Sequence, residues 1–247
     1  MKGASRKQEQ RRAFIPSGGE NKPIMGRIRI KMCGVTRLAD AEAAVEAGID
    51  ALGFIFHPKS PRNIDPEQAR QIIDRLPPFI DTVGVFVNKK RHEVEEIIDY
   101  CRLAYAQLHG EENPKYCERL VRFAAPCQVL KAFRVGPDLQ ARDIRPYDAH
   151  VRGYLLDTFD TRMAGGTGKT FDWDRIKKLK LHRPLLLAGG LNPDNILKAL
   201  ERVRPYGVDV NSGVEVSPGV KDHDRIRALV SRVRSFDSSQ QPVPTGQ

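Results

Sequence analysis

At 247 residues with 40% hydrophobic side chains, the chain has enough apolar material for one large core, and about 250 residues is a common size for a single (β/α)8 barrel. No apolar run approaches the roughly 20 residues of a membrane span, and the opening MKGASRKQEQRRAFIPSGGE lacks the apolar centre of a secretory signal, so a soluble cytoplasmic protein with no membrane partner is expected. The net charge of +10 is uneven: Lys2, Arg6, Lys7, Arg11, Arg12 and Lys22 stand against Glu9 and Glu20 within residues 1–26, so much of the excess lies in a tail rather than in the groove or stripe that nucleic-acid binding requires.

Residues 1–26 show no hydrophobic periodicity and read as a disordered basic extension. For residues 1–24 a mis-assigned start before Met25, a flexible arm and an organellar address are the alternatives. From residue 27 the chain alternates short apolar or β-branched runs with stretches of helical spacing. The predicted strands are 27–33, 50–56, 81–87, 104–109, 128–133, 151–157, 184–189 and 207–212. Helical segments between them include LADAEAAVEAG, DPEQARQIIDRL, KRHEVEEIIDYC, NPKYCERLVRF and NPDNILKALERV, several opening on Asp or Asn caps. The interval around GPDLQARDI is the weakest helix. Such alternation implies parallel strands joined by crossovers, and eight repeats are the number that closes a barrel. A single α/β domain, a (β/α)8 TIM barrel over 27–235, is therefore expected, with a doubly wound open sheet as the second fold the pattern allows. Residues 236–247 read as a disordered tail.

In such a barrel the C-terminal ends of the strands form the active-site face. Those ends carry Cys33 and Gly34, the HPKSPR loop with Arg62, Asn88, His109 and Gly110, Asp157, Gly189 and Gly190, and Asp209 with the NSGVE run. Each alone is accounted for by turn chemistry. Several reactive groups converging on one rim are not.

The cysteines Cys33, Cys101, Cys117 and Cys127 are spaced 68, 16 and 10 residues apart, without a Cys-x-x-Cys pair, which suggests neither a zinc site nor a disulfide framework. No metal and no cofactor is expected. MAGGTGKTFDW ends like a nucleotide-binding P-loop, but Met163 stands where the first glycine belongs, and TFDTR separates the motif from its strand. The glycines have another reading. GGTGKT after strand six, AGGLNP after strand seven and NSGVE after strand eight form a nest of backbone N–H groups for a phosphate, with Gly166, Gly168, Gly189, Gly190, Ser212 and Gly213 as its members. A small phosphorylated sugar is the expected ligand.

Together IKMCGVT, GIDALGFIF, KSPR, VGVFVN, QLHGEE, LLDT, GGTGKTFDW, AGGLNPDNI and DVNSGVEVSPGVKD resemble phosphoribosylanthranilate isomerase from residue 28 to about residue 232, with Met32 where that family usually has Ile. The resemblance implies an aldose–ketose isomerase of tryptophan biosynthesis. Its reaction is the Amadori rearrangement of N-(5-phosphoribosyl)anthranilate to 1-(2-carboxyphenylamino)-1-deoxyribulose 5-phosphate. By the same resemblance Asp157 is the general acid and Cys33 the general base, Arg62 pairs with the anthranilate carboxylate, Asp209 lies near the anthranilate amine, and His109 contacts substrate. A working pair requires the Cys33 pKa to fall toward neutrality and that of Asp157 to rise. Indole-glycerol-phosphate synthase and the histidine-pathway isomerase share the phosphate nest but are not expected to carry Cys33. A barrel decayed to a basic binding protein is expected to have lost the pair. The partner is the phosphorylated sugar–anthranilate substrate, and the protein is a monomer or a homodimer.

Overall fold

The computed structural model describes residues 26–157 and 173–240. Eight parallel strands close into a barrel: β1 (Arg29–Met32), β2 (Ala51–Ile55), β3 (Asp81–Phe86), β4 (Tyr105–Leu108), β5 (Gln128–Arg134), β6 (Gly153–Asp157), β7 (Leu185–Ala188) and β8 (Gly207–Val210). Closure is made by β8 on β1, in a four-residue register from Arg29 opposite Gly207 to Met32 opposite Val210. The barrel rather than the open sheet is therefore the fold. The predicted strands match all eight, with ends differing by one or two residues.

The helices between them are α1 (Leu38–Ala47), α2 (Pro66–Ile73), α3 (Arg91–Cys101), α4 (Pro114–Phe123), α5 (Ala141–Ile144), α6 (Asp174–Lys178), α7 (Ile196–Val203) and α8 (His223–Gln240). Local chemistry explains the starts of α2 and α4. Asp65 and Asn113 accept from the backbone N–H of Glu67 and Tyr116, and a proline follows each cap. The weak fifth interval yields only one turn of α-helix and a 3-10 turn over Arg145–Tyr147. Among the described residues no helix is long and apolar enough to cross a membrane.

The C-terminal boundary drawn at residue 235 is corrected. Helix α8 continues to Gln240, and residues 236–240 are held to the fold: Asp237 accepts from the Ile28 N–H at 2.9 Å, and Ser238 and Ser239 donate to the carbonyls of Arg234 and Phe236. The polar composition of DSSQQ concealed this because its hydrogen bonds go to backbone and to β1. Residues 241–247, like 1–25, lie outside the described residues.

The main core fills the space between sheet and helices, with Phe54, Phe86, Leu108, Leu120 and Leu156 fully buried. Two smaller clusters, Cys33 with Ile55 and Val85, and Ala132 with Leu155 and Ala188, lie apart from it. Strand side chains alternate between faces, so these clusters belong to the barrel interior beneath the C-terminal rim. A two-stranded hairpin, β9 (Glu215–Ser217) and β10 (Val220–Lys221), follows β8 and folds back toward β1. The strand pattern had not indicated it.

Candidate active site

A cavity of about 320 Å3 opens at the C-terminal rim of the barrel, and its walls include Cys33, Arg62, His109, Asp157, Gly189, Gly190, Asp209, Ser212 and Gly213. Every site residue expected from the sequence and lying within the described part thus meets at one place. Gly166 and Gly168 fall outside the described residues.

Cys33 follows β1, fixed by a bond from its N–H to the Val210 carbonyl at 2.8 Å. Asp157 is the last residue of β6, so the two stand on different strands at the same rim. The thiol is nearly buried, and burial pushes its pKa above the ordinary value, although Lys31 beside it pulls the other way. That direction is opposite to the expected lowering. The sequence reading placed the cysteine at an open rim and did not weigh desolvation by Ile55 and Val85.

His109 Nε2 lies 3.6 Å from Asp157 Oδ2, while its Nδ1 faces the Gln107 amide nitrogen at 2.9 Å. An amide N–H donating to Nδ1 leaves the ring proton on Nε2, directed at the carboxylate. The Gln107 side-chain oxygen is buried and has no hydrogen-bond partner among the described residues.

Arg62, in the loop after β2, meets Glu215 side on: Nε is 2.9 and 3.0 Å from the two carboxylate oxygens, and Nη2 is 2.6 Å from one of them. Nη1 makes no hydrogen bond among the described residues. Behind this pair Lys221 donates to Glu215 at 2.8 Å, to the Asn211 side chain at 2.9 Å and to the Cys33 carbonyl at 2.6 Å. Burial pushes the Glu215 carboxyl up, but Arg62 and Lys221 hold it below its ordinary range. The same burial leaves Lys221 below the usual lysine value, its loss only partly offset by Glu215. Hairpin β9–β10 exists to carry these two residues under the rim. The sequence reading quoted the run that contains them and gave neither a role.

The loops after β7 and β8 interlock. Gly189 and Gly190 adopt φ of 100° and 64°, a left-handed conformation in which successive N–H groups turn toward one concavity. Ser212 and Gly213 close it from β8. A Cβ on Gly213 would lie 1.9 Å from the Leu191 carbonyl oxygen, so only glycine lets these two backbones approach. Asn88, by contrast, is a turn residue: it has φ of 51°, and its side chain accepts from the Glu111 N–H.

What the arrangement offers chemically is a thiol, a carboxylate, an oriented guanidinium and a backbone anion nest lining one small cavity. Comparison with known proteins gives the family. Residues 30–232 match the family model described as N-(5'-phosphoribosyl)anthranilate isomerase. The chain is 50% identical over 209 residues to the enzyme of that name from Geobacter sulfurreducens, covering 85% of this chain and all of the relative, and 49% identical over 213 residues to that of Pseudomonas fluorescens, covering 85% and all. A crystal structure of phosphoribosyl anthranilate isomerase in complex with reduced 1-(o-carboxyphenylamino)-1-deoxyribulose 5-phosphate superposes with a TM-score of 0.72 at 41% identity, over 84% of this chain and 99% of that one. A Thermotoga maritima structure, described as monomers generated from a dimeric phosphoribosylanthranilate isomerase, gives 0.70 at 40% over the same shares.

Proposed function

Since the chain belongs to the N-(5'-phosphoribosyl)anthranilate isomerase family, we propose that Asp157 and Cys33 are the acid and base of its reaction. That reaction is the Amadori rearrangement of N-(5-phosphoribosyl)anthranilate to 1-(2-carboxyphenylamino)-1-deoxyribulose 5-phosphate, a step of tryptophan biosynthesis. Its substrate is a small phosphorylated molecule. The observation that carries the reading is the single cavity onto which Cys33, Asp157, Arg62 and the loops after β7 and β8 all open.

The proposed steps follow from the positions. Asp157 gives its proton to the furanose ring oxygen, the C1–O bond breaks, and the anilino nitrogen lone pair forms the protonated Schiff base. The Cys33 thiolate then removes the proton from C2, and the electron pair moves into the C1–C2 bond as the iminium is neutralised. The resulting enaminol gives up its C2 hydroxyl proton as the C2 carbonyl forms and takes a proton at C1, and proton exchange with solvent returns Asp157 to the acid and Cys33 to the thiolate. The iminium is a cation formed beside the sulfur, so it favours the thiolate at the moment the base is needed and opposes the upward push of burial. His109, with its ring proton aimed at Asp157, steadies the carboxylate once it has given up its proton.

Arg62, held side on by Glu215, presents Nη1 to the anthranilate carboxylate, and Asp209 faces the amine. The phosphate sits on the backbone N–H groups of Gly189, Gly190, Ser212 and Gly213. The catalytic domain is assigned to residues 27–240. A homodimer is the proposed assembly, supported by Phe79, which is fully exposed beside a cavity of about 370 Å3 on the opposite, N-terminal face; light scattering distinguishes it from a monomer.

The direct test is an assay of purified protein with phosphoribosylanthranilate, read as loss of its fluorescence. Turnover is expected, and none under conditions where the protein is folded would refute the reading.

A further inference from the structure

Among the described residues three buried lysines have no chemical role in the proposed mechanism: Lys131 paired with Glu112 under the β4 loop, Lys221 with Glu215 behind Arg62, and Lys31 with Asp209 inside the barrel. The third lies nearest the reacting sulfur. Lys31 precedes Cys33 by two residues along β1, so both side chains point into the barrel. Its ammonium is 2% exposed and 2.8 Å from Asp209 Oδ1. Gly53 on β2 makes the room for it: a Cβ there would lie 3.0 Å from both Lys31 Nζ and Cys33 Sγ. Ammonium and thiol therefore flank the same bare piece of backbone.

An ion pair in a barrel interior is a poor way to gain stability, because two desolvated charges recover little more than an apolar pair of the same volume would. Its position suggests another use. We propose that Lys31 is a positioning residue that stabilises the thiolate of Cys33 from beneath, with Asp209 as a competing negative charge beside it; this rests on the reading of Cys33 as the base. The ammonium remains charged there: burial opposes its charge, but Asp209 and Cys33 outweigh burial and raise its pKa.

Other charged groups also face the sulfur. Lys221 reaches the Cys33 carbonyl, Arg62 is paired with Glu215, and Asp157 with His109 lies across the cavity. Of the neighbours that pull the thiol pKa down against burial, Lys31 is foremost and Lys221 second, while Asp209 pushes it up. Removing Lys31 and neutralising Asp209 must therefore act in opposite directions. A strut that merely held β1 to β8 would give no such opposition, since both changes break the same bridge.

The test is the pH dependence of Cys33 carboxamidomethylation by iodoacetamide in the full chain without substrate, followed on the Cys33 peptide by mass spectrometry. In Lys31→Met the midpoint is expected to rise by about one pH unit, which slows alkylation at neutral pH about tenfold. In Asp209→Asn it is expected to fall. A parallel rise in the acid limb of kcat/KM for Lys31→Met supports the same conclusion. An unmoved midpoint in Lys31→Met, or shifts of the same sign in both variants, overturns the proposal. If Lys31→Met does not fold, Asp209→Asn decides alone, and a midpoint that stays or rises is the overturning result. Retained turnover in Cys33→Ser would instead refute the base assignment while leaving the alkylation midpoints untouched, so the two failures are distinguishable.

Discussion

His109 and Asp157 face each other from β4 and β6 with 3.6 Å between Nε2 and Oδ2, and the Gln107 amide fixes the imidazole in the tautomer that points its proton at the carboxylate. Asp157→Asn keeps the shape of this pair and removes the transferable proton. kcat is expected to fall about 100-fold or more, the range for losing a general acid, with little change in KM. Cys33→Ser is expected to do the same for the base. Single-turnover measurements check that chemistry limits the rate, and a near-normal chemical rate in either variant would remove that residue from the mechanism.

Arg62→Ala is expected to act chiefly on binding, because its contact with the substrate carboxylate exists before the chemical step as well as during it. A charge-assisted hydrogen bond contributes about 1.5 to 3 kcal/mol, which corresponds to a roughly 10- to 100-fold weaker equilibrium affinity. Glu215→Gln leaves the guanidinium in place but loosens its orientation, and a smaller rise in KM is expected. Calorimetric binding of a non-reacting product analogue separates the two, and unchanged affinity in Arg62→Ala would dismiss its role.

Gly213→Ala places a methyl group 1.9 Å from the Leu191 carbonyl oxygen, a collision with backbone that no rotamer relieves. The loops after β7 and β8 must part. A loss of about 3 kcal/mol in stability is expected, together with a KM for phosphorylated substrate raised at least as much as that of Arg62→Ala. Denaturant unfolding and steady-state kinetics read the two effects, and a silent substitution would mean that the nest is not packed as described.

Asp50 accepts from Arg27, Arg29, Arg234 and the Ile30 N–H. Burial raises its pKa, but these donors more than cancel burial and hold it below the ordinary value. A carboxylate with a lowered folded pKa adds stability that is complete above its unfolded pKa and disappears as pH falls through the folded one. Asp50→Asn is therefore expected to lower stability by about 1 to 2 kcal/mol at neutral pH. The gap to wild type should close on acidification below about pH 4, the unperturbed value. Thermal melts of both proteins across that interval check it, and a gap constant with pH would contradict the ion-pair account.

The fold was legible because the signals were local. Eight apolar runs separated by capped helical segments give strands, and a count of eight points to closure, which the pairing of β8 with β1 settles. Cys33, Asp157 and Arg62 were legible because polar groups at strand ends have no part in a core. Lys31, Glu215 and Lys221 were not. The partner of Lys31 lies 178 residues away, and the other two sit on a hairpin of five strand residues whose register is irregular, so neither spacing nor periodicity marks them. The direction of the Cys33 shift was missed for a similar reason. Desolvation is a property of three-dimensional neighbours, here Ile55 and Val85 from two other strands.

Helix α8 ends by reaching back to the start of the barrel: Asp237 takes the Ile28 N–H, and Arg234 bridges the Ile28 carbonyl and Asp50. Strand β1 pairs with β2 on one side and waits for β8, about 180 residues later, on the other. A nascent chain emerging from the ribosome therefore carries two unpaired strand edges, the free side of β1 and the newest strand, until β8 has been made. Synthesis interrupted before residue 207 leaves a seven-stranded sheet open at both ends, a species prone to edge-to-edge aggregation and a natural client for chaperones. Helix α8 clasps the entry to β1 only once all eight strands have been made, so closure of the barrel waits for the segment that follows β8.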